Sequence, residues 1–281
     1  MKKDLHNTKS GGSAAGKIIL VTALTLTAVL IIGATPFFSI SGIELTGNKY
    51  YETGHIIAKS GLRVGQNGFS ALQGDNIIKI LSFRCGTAEK AVSSSCPYIK
   101  TIQIRYVLPD IIRIEIEERN KSVVVPYFES GLLIDGEGVV VDIIKNYRQS
   151  ELPVVTGLTV ISCETGKKIV TANVSKLETV LSVVSAIRQV DRDSDDTLVW
   201  RIDTIGVSDP DNITLGIRDG LNVYLGDGTD LYYRVSFTKE IISNGIYGDE
   251  KGDIVFTNGA RPVFIPDGGA ARHASSGGGV T

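Results

Sequence analysis

Residues 102–119 read IQIRYVLPDIIRIEIEER and contain two stretches in which apolar and polar residues alternate. Pro109-Asp110 separates the stretches and is a typical turn pair. Successive side chains of a strand point to opposite faces, so a period of two predicts a half-buried antiparallel hairpin. The positions predicted to face the core are Ile102, Ile104, Tyr106 and Leu108 in the first strand, and Ile112, Ile114 and Ile116 in the second.

The residues before the hairpin predict one strand and two helices. Residues 39–46 alternate in the same way and end at the turn pair Gly47-Asn48. Residues 51–60 form a short helix that Gly61 closes, and residues 75–83 form a second helix. The apolar side of that second helix carries Ile77, Ile78 and Leu81. The predicted order of the unit, residues 39–119, is β-α-α-β-β.

Farther toward the N-terminus, residues 18–38 form an apolar run of about 21 residues, which is long enough to cross a bilayer as a helix. The preceding tail, residues 1–17, carries four lysines against Asp4, so the positive-inside rule places the tail in the cytoplasm. The alternative is a cleaved secretory signal, which also has a basic start and an apolar run. We expect an uncleaved single span, because Phe37, Phe38 and Ile40 continue the run without a cleavage motif.

Residues 120–266 form the second unit, which we predict to be a mixed, largely antiparallel sheet with two helices. Short strands alternate with turns, and helices are predicted at residues 173–190 and 230–243. The closing strands are residues 252–256 and 262–265. Residues 267–281 are rich in Gly, Ala and Ser and are expected to be a disordered tail. The fold class is α+β with one transmembrane helix.

The charge distribution argues against nucleic-acid binding. The chain has 29 basic and 31 acidic residues, and its basic segment is the short N-terminal tail. The part after the span is therefore mildly acidic, whereas nucleic-acid binding needs a basic surface.

We find no residue pattern for catalysis, a cofactor or a metal. The three histidines lie at positions 6, 55 and 273, and no pair has metal-ligand spacing. A sortase-like transpeptidase would need Cys163 as nucleophile, but this cysteine lacks the expected sequence context and no histidine of a folded segment follows it. The acidic residues at 191–196 lack the Gly and Glu of a calcium loop, so we interpret them as a solvated turn.

Two of the three cysteines flank a Ser-rich insert at residues 84–96. We expect Cys85 and Cys96 to form a disulfide outside the cell, with free thiols as the alternative. Cys163 is expected to be a small, unpaired packing residue.

Four segments together resemble the FtsQ/DivIB family of bacterial cell-division proteins. They are FSISGIELTGN at 38–48, LPDIIRIEIEER at 108–119, LIDGEG at 133–138 and LPVVTG at 152–157, and they follow a single predicted span. The resemblance implies that residues 39–119 are a POTRA domain and residues 120–266 the β domain of that family. The insert at 84–96 is longer than the link usual in the family.

The resemblance also implies a partner and a binding segment. In the family, the end of the β domain receives a segment of a small bitopic division protein of the FtsB/DivIC type. By position, the partner-binding residues are Phe256, Asn258, Gly259 and Phe264, with the two phenylalanines as aromatic anchors. The alternative is that both rings belong to the core. Arg234 and Lys239 are expected to flank the groove.

The implied function is that of a non-enzymatic scaffold of the divisome, held in the cell membrane at the septum. It would recruit bitopic proteins of the FtsB/DivIC and FtsL types and, through them, help control the septal peptidoglycan synthase. The alternatives are the sortase-like enzyme and a POTRA protein of an export system, which would require a large β-barrel after residue 119.

Overall fold

A 20-residue helix, α1 (Ala14–Gly33), begins the computed structural model. The model describes residues 14–74, 76–192, 196–209, 211–218, 220–245, 251–257, 262–267 and 272–273. Helix α1 has a mean hydropathy of 2.3 and no buried residue, so by length and composition it can span a membrane. The predicted span at 18–38 is displaced: the helix ends at Gly33, and residues 36–38 form a 3-10 turn because Pro36 has no backbone N–H to continue the helix.

The chain after α1 divides into two compact units at the boundary between Glu118 and Arg119. The first unit has the predicted order of strands, with three helices between β1 and β2 where two were predicted. Its elements are β1 (Gly42–Thr46), α2 (Thr53–Ser60), α3 (Ile77–Leu81), α4 (Gly86–Ser95), β2 (Ile99–Val107) and β3 (Ile111–Glu118). The sheet order is β1-β3-β2, with β1 parallel and β2 antiparallel to the central strand β3.

The alternating hairpin forms the core face of the first unit, as predicted, except that Leu108 is 48 % exposed where the chain leaves the first strand. Ile104 lies opposite Ile114, and Tyr106 lies opposite Ile112. Ile104, Ile112 and Ile114 are fully buried and pack with Ile56 of α2. The charged residues between them point away from this core, which is the arrangement that a period of two imposes.

The Ser-rich insert is a helix, α4, and this overturns two predictions. The second packed helix of the unit lies at Gly86–Ser95, whereas the helix predicted at 75–83 is only the five-residue α3. Cys85 and Cys96 cap opposite ends of α4 as buried free thiols. The rise along α4 separates them by about 16 Å, far beyond disulfide reach, so the predicted disulfide is wrong. Burial raises the pKa of the Cys85 thiol to about 12, which keeps it protonated.

The second unit is a mixed sheet with two helices, as predicted. Strand β7 runs parallel to β4 and β10, and β13 runs parallel to β12, while the other neighbours are antiparallel. The strand order is β15-β14-β13-β12-β11-β10-β7-β4-β5-β6, and β8 and β9 form a separate pair. The elements are β4 (Lys121–Tyr127), β5 (Ser130–Asp135), β6 (Val140–Lys145), β7 (Val154–Thr156), β8 (Val160–Ser162), β9 (Val170–Thr171), α5 (Val174–Asp191), β10 (Ile202–Gly206), β11 (Ile213–Ile217), β12 (Leu221–Gly226), α6 (Leu231–Ser243), β13 (Gly252–Val255), β14 (Val263–Pro266) and β15 (Arg272–His273).

Helices α5 and α6 share one hydrophobic core with the sheet. Asn173 caps α5 by accepting a hydrogen bond from the Lys176 N–H at 3.2 Å, as its position predicted. Val180 of α5 and Val235 of α6 are fully buried in this core. The helices therefore cover one face of the sheet and leave its two ends as the places where strand pairing stops.

Candidate partner-binding site

The C-terminal end of the large sheet is built from β12, β13, β14 and β15. One row of side chains across it contains Val223, Ile254 and Phe264, which lie opposite one another in register. All three side chains are fully buried in the core that includes α6. This row holds the sheet end against the helix.

The two phenylalanines that were expected to anchor a partner are part of that core. Phe264 is 0 % exposed and Phe256 is 6 % exposed. The Phe256 ring packs edge-on against Phe237 of α6, with ring centroids 6.2 Å apart. Both rings therefore pack in the core, which is the alternative stated from the sequence, and their contact with a partner stays a prediction. Asn258 and Gly259 lie outside the described residues.

The opposite face of the same strands is partly open. Val255 lies beside Val263, and Asp253 lies beside Ile265, whose side chain is 39 % exposed. Asn222 donates a hydrogen bond to the Asp253 carboxylate at 3.1 Å. This outer row, Val255, Val263, Ile265 and Asp253, was not identified from the sequence. The alternation Val263-Phe264-Ile265 could have indicated it, since the buried Phe264 requires its two neighbours to face outward.

The last described strand pairs with the outer edge of β14. Strand β15 pairs with β14 at Val263–His273 and Phe264–Arg272. This pairing contradicts the prediction of a disordered tail at residues 272–273, and the other residues of 268–281 lie outside the described residues. Among the described residues the ladder consists of these two pairs, and Pro266 at the end of β14 has no N–H to donate to a neighbouring strand.

Gly252 permits the close approach of β13 and β14. A Cβ atom at this position would lie 2.4 Å from the Ile265 carbonyl oxygen. Any larger residue would push the two strands apart at the start of β13. Gly252 is thus a further residue of this site that was not identified from the sequence.

The two basic residues of α6 do not flank an open groove. Arg234 is buried and donates to the Leu225 carbonyl and, at 2.8 Å, to Thr229 Oγ1. Lys239 donates to Asp191 Oδ1 at 2.9 Å. Both side chains therefore fasten α6 to its surroundings. The exposed side chains at the start of this helix are instead Tyr232 and Tyr233.

The described acidic and histidine side chains that could suggest an enzyme or a metal site have structural roles. Asp191 accepts hydrogen bonds from the Leu198 and Val199 N–H groups. It therefore holds the end of α5 to the segment that follows and is not a solvated turn residue. His55 stacks on Tyr51, with ring centroids 5.4 Å apart. Within the described residues, no group of three or more His, Cys, Asp or Glu side chains is arranged to hold a metal ion.

Two family models match the chain in succession. The model "POTRA domain, FtsQ-type" matches residues 38–119, and the model "Cell division protein FtsQ/DivIB, C-terminal" matches residues 127–253. The chain belongs to the FtsQ/DivIB family. The first unit is accordingly a POTRA domain and the second is the β domain. The second match ends at Asp253, so β14 and β15 lie beyond it.

Two curated relatives agree with this assignment. The chain is similar to the cell division protein DivIB of Clostridium acetobutylicum, with 24 % identity over 82 % of this chain and 83 % of the relative. It is also similar to the cell division protein FtsQ of Corynebacterium glutamicum, with 24 % identity over 74 % of this chain and 82 % of the relative. The FtsQ/DivIB assignment gives the protein a role in cell division.

Proposed function

We propose that this FtsQ/DivIB protein is a non-enzymatic scaffold that α1 holds in the cell membrane at the division septum. The basic tail supports a cytoplasmic N-terminus and extracytoplasmic domains. Holding the domains on the membrane raises their effective concentration toward partners that are anchored in the same membrane. The partners proposed are bitopic division proteins of the FtsB/DivIC and FtsL types and, through them, the septal peptidoglycan synthase.

The observation that carries the binding site is the short ladder at the end of the β domain. Within the described residues, strand β15 pairs with β14 through Arg272 and His273, whereas Val263 and Ile265 present an apolar outer face next to it. We infer that an extended partner segment takes the place of β15 along β14 and contacts this face. Main-chain hydrogen bonds would supply affinity and the outer side chains specificity. Asn258 and Gly259, which lie between β13 and β14 in sequence, belong to the same proposed surface.

Co-purification tests the site. The full chain is co-produced with a candidate bitopic protein of the FtsB/DivIC type, and the captured partner is quantified. Ile265→Glu is expected to reduce capture at least tenfold, because it places a charge in the apolar contact. The matched control is Ile143→Glu on β6, since Ile143 is also half-exposed but lies at the opposite end of the sheet.

Equal capture by the wild type and both variants would refute the site. Equal loss in both variants would refute it as well, because a general effect of the charge would then explain the result. A chain that lacks residues 268–281 is expected to capture at least as much partner as the wild type. Reduced capture by that chain would contradict the displacement of β15.

The cellular role has a separate test. A fluorescent fusion of the full chain is expected to collect at the division septum. A uniform membrane distribution in dividing cells would refute the proposed septal scaffold.

A further inference from the structure

Helix α3 of the POTRA domain exposes three of its four large apolar side chains, and the fourth, Ile80, is half-buried. Ile77, Ile78 and Leu81 are 64 %, 71 % and 73 % exposed. Leu81 lies four residues after Ile77 and three residues after Ile78, so all three share one side of the helix. The sequence placed them together correctly, but that side does not face the POTRA core. We call these three residues the α3 apolar face.

The opposite side of α3 is fastened to the domain by charge. Lys79 Nζ donates to Glu89 Oε2 at 2.8 Å, and Arg84 Nε donates to Glu89 Oε1 at the same distance. Glu89 is only 3 % exposed and also accepts from the Ile104 N–H of the central hairpin. A surface helix normally turns its polar side to water and its apolar side inward. Helix α3 has the reverse arrangement, and the ion pairs fix it.

A chain of aromatic contacts connects α3 with the outer end of α1. Phe83, two residues after α3, lies 6.4 Å from Phe69, measured between ring centroids, and Phe69 lies 5.0 Å from Phe38. Asn67 donates to the Gly33 carbonyl at the end of α1 at 2.8 Å. A cavity between α1 and the POTRA domain is lined by residues that include Leu30 and Phe69. This side of the domain therefore lies beside the last turn of α1.

The length of α1 gives the level of the bilayer surface. Twenty residues at about 1.5 Å each cover a hydrocarbon core of about 30 Å, so Gly33 lies near its outer boundary. Phe37, just beyond it, is 68 % exposed. Short apolar helical faces at this level are the elements that enter the boundary between headgroups and acyl chains.

We propose that the α3 apolar face inserts into the outer leaflet and seats the POTRA domain on the membrane. The occupant is the lipid surface itself, in continuity with the span α1. The inference rests on α1 as a membrane anchor, which the proposed function also uses, but it does not depend on any partner. Because Lys79 and Arg84 are engaged by Glu89, the insertion relies on apolar contact and not on anionic headgroups.

Fluorescence quenching by brominated lipid tests whether the α3 apolar face inserts into the membrane. Trp200 is the single tryptophan, so Trp200→Phe gives a background without indole. In that background, Leu81→Trp places an indole on the α3 apolar face of the full chain. The protein is reconstituted in neutral phosphatidylcholine vesicles with and without brominated acyl chains. We expect at least twofold quenching by the brominated lipid, unchanged at high salt.

Tyr50→Trp provides the matched control within the same domain. Tyr50 is 57 % exposed, and its N–H donates to Glu118 at the end of β3. Gly42, next to the membrane, lies opposite Ile111 at the start of β3. The length of β3 therefore places Tyr50 about 20 Å from the membrane end of the sheet. An indole at position 50 is expected to fluoresce with equal intensity in vesicles with and without brominated acyl chains.

Each outcome decides the proposal. Quenching at position 81 but not at 50 supports it. No quenching at 81, or equal quenching at both positions, overturns it. If Leu81→Trp does not fold by circular dichroism, Ile78→Trp replaces it on the same face. Because the vesicles contain no other protein, the result is independent of whether the partner-capture experiment succeeds.

Discussion

Helix α3 of the POTRA domain and strand β14 of the β domain differ in the burial of their large apolar side chains. The α3 apolar face points outward, while Phe264 of β14 is fully enclosed. The polar side chains differ in the same way. Lys79 of α3 points inward to a buried carboxylate, whereas Asp253, which lies beside Ile265 of β14, faces outward. An apolar side chain is thus buried only where another element of the structure packs against it.

The physical difference lies in what anchors each segment. Strand β14 is held by its ladder to β13 and by the core under α6, so burial of its alternate side chains follows. Helix α3 is too short to gain much from its own hydrogen bonds. Glu89 determines its orientation by holding Lys79 and Arg84. The following predictions test whether burial in one region and charge in the other have these roles.

The largest effect is expected from Phe264→Ala. Removal of a fully buried ring should lower the free energy of unfolding of the β domain by about 3–5 kcal/mol. Trp200 lies in this domain and reports its unfolding by fluorescence during a urea titration of the full chain in detergent. Ile265→Ala is the control and should cost less than about 1 kcal/mol, because its side chain is partly exposed. Equal losses would place β14 outside the core.

The next effect is expected from Glu89→Gln. The variant leaves two cations beside a neutral amide, and it should destabilise the POTRA domain by about 2–3 kcal/mol, slightly below the usual cost of breaking a buried pair because both cations reach some solvent. Amide hydrogen exchange of β2 and β3 measures the change. Glu44→Gln is the control, since Glu44 pairs with Arg113 at the surface and should contribute less than about 1 kcal/mol. Similar exchange in both variants would remove the basis for the orientation of α3.

The same carboxylate predicts a pH dependence. Burial by itself would raise the pKa of Glu89, but the hydrogen bonds from Arg84, Lys79 and the Ile104 N–H outweigh it, so the pKa is lowered. Its contribution is therefore complete above the ordinary glutamate pKa of about 4.3 and is lost as the pH falls through the lowered value. The protection factors of the wild-type POTRA amides, which compare the measured exchange rate with the intrinsic rate at the same pH, should fall over this acid range relative to pH 7. In Glu89→Gln, this part of the acid response should be absent.

The smallest effect is expected from Ile78→Ser. Since Ile78 is exposed and contacts little of the domain, the free energy of unfolding of the POTRA domain should change by less than about 0.5 kcal/mol. Val92→Ser on α4 is the control, because Val92 is fully buried and its loss should cost at least about 2 kcal/mol. Hydrogen exchange in detergent separates the two. A large effect of Ile78→Ser would show that α3 packs onto the domain.

The sequence predicted the regular elements best where a long pattern repeated. The alternation of residues 102–119 identified the hairpin, and the 3.6-residue period identified α5, because both patterns extend over many residues. The insert at 84–96 was misjudged because its Ser-rich composition is weakly helical. Its burial depends on contact with α2 and β2, which no local pattern records.

The candidate site was predicted less well, for a related reason. The sequence located the closing strands, but the assignment of Phe256 and Phe264 to a partner surface required knowing which face α6 covers. Likewise, Gly252 has no room for a side chain because the Ile265 carbonyl oxygen and the Pro266 Cα of the neighbouring strand lie close to it, and no local pattern records that contact.

By itself, the sequence determined one apolar span, two domains of mixed helix and strand, and the family to which they belong. These properties depend on residue order and short-range periodicity, since the spacing of side chains along a helix or strand is fixed by backbone geometry. Only the tertiary structure decided that α4 separates Cys85 from Cys96, that Phe264 faces inward and that Ile78 faces outward. Those outcomes depend on which distant surface arrives to cover a side chain, and burial is gained only from such contacts.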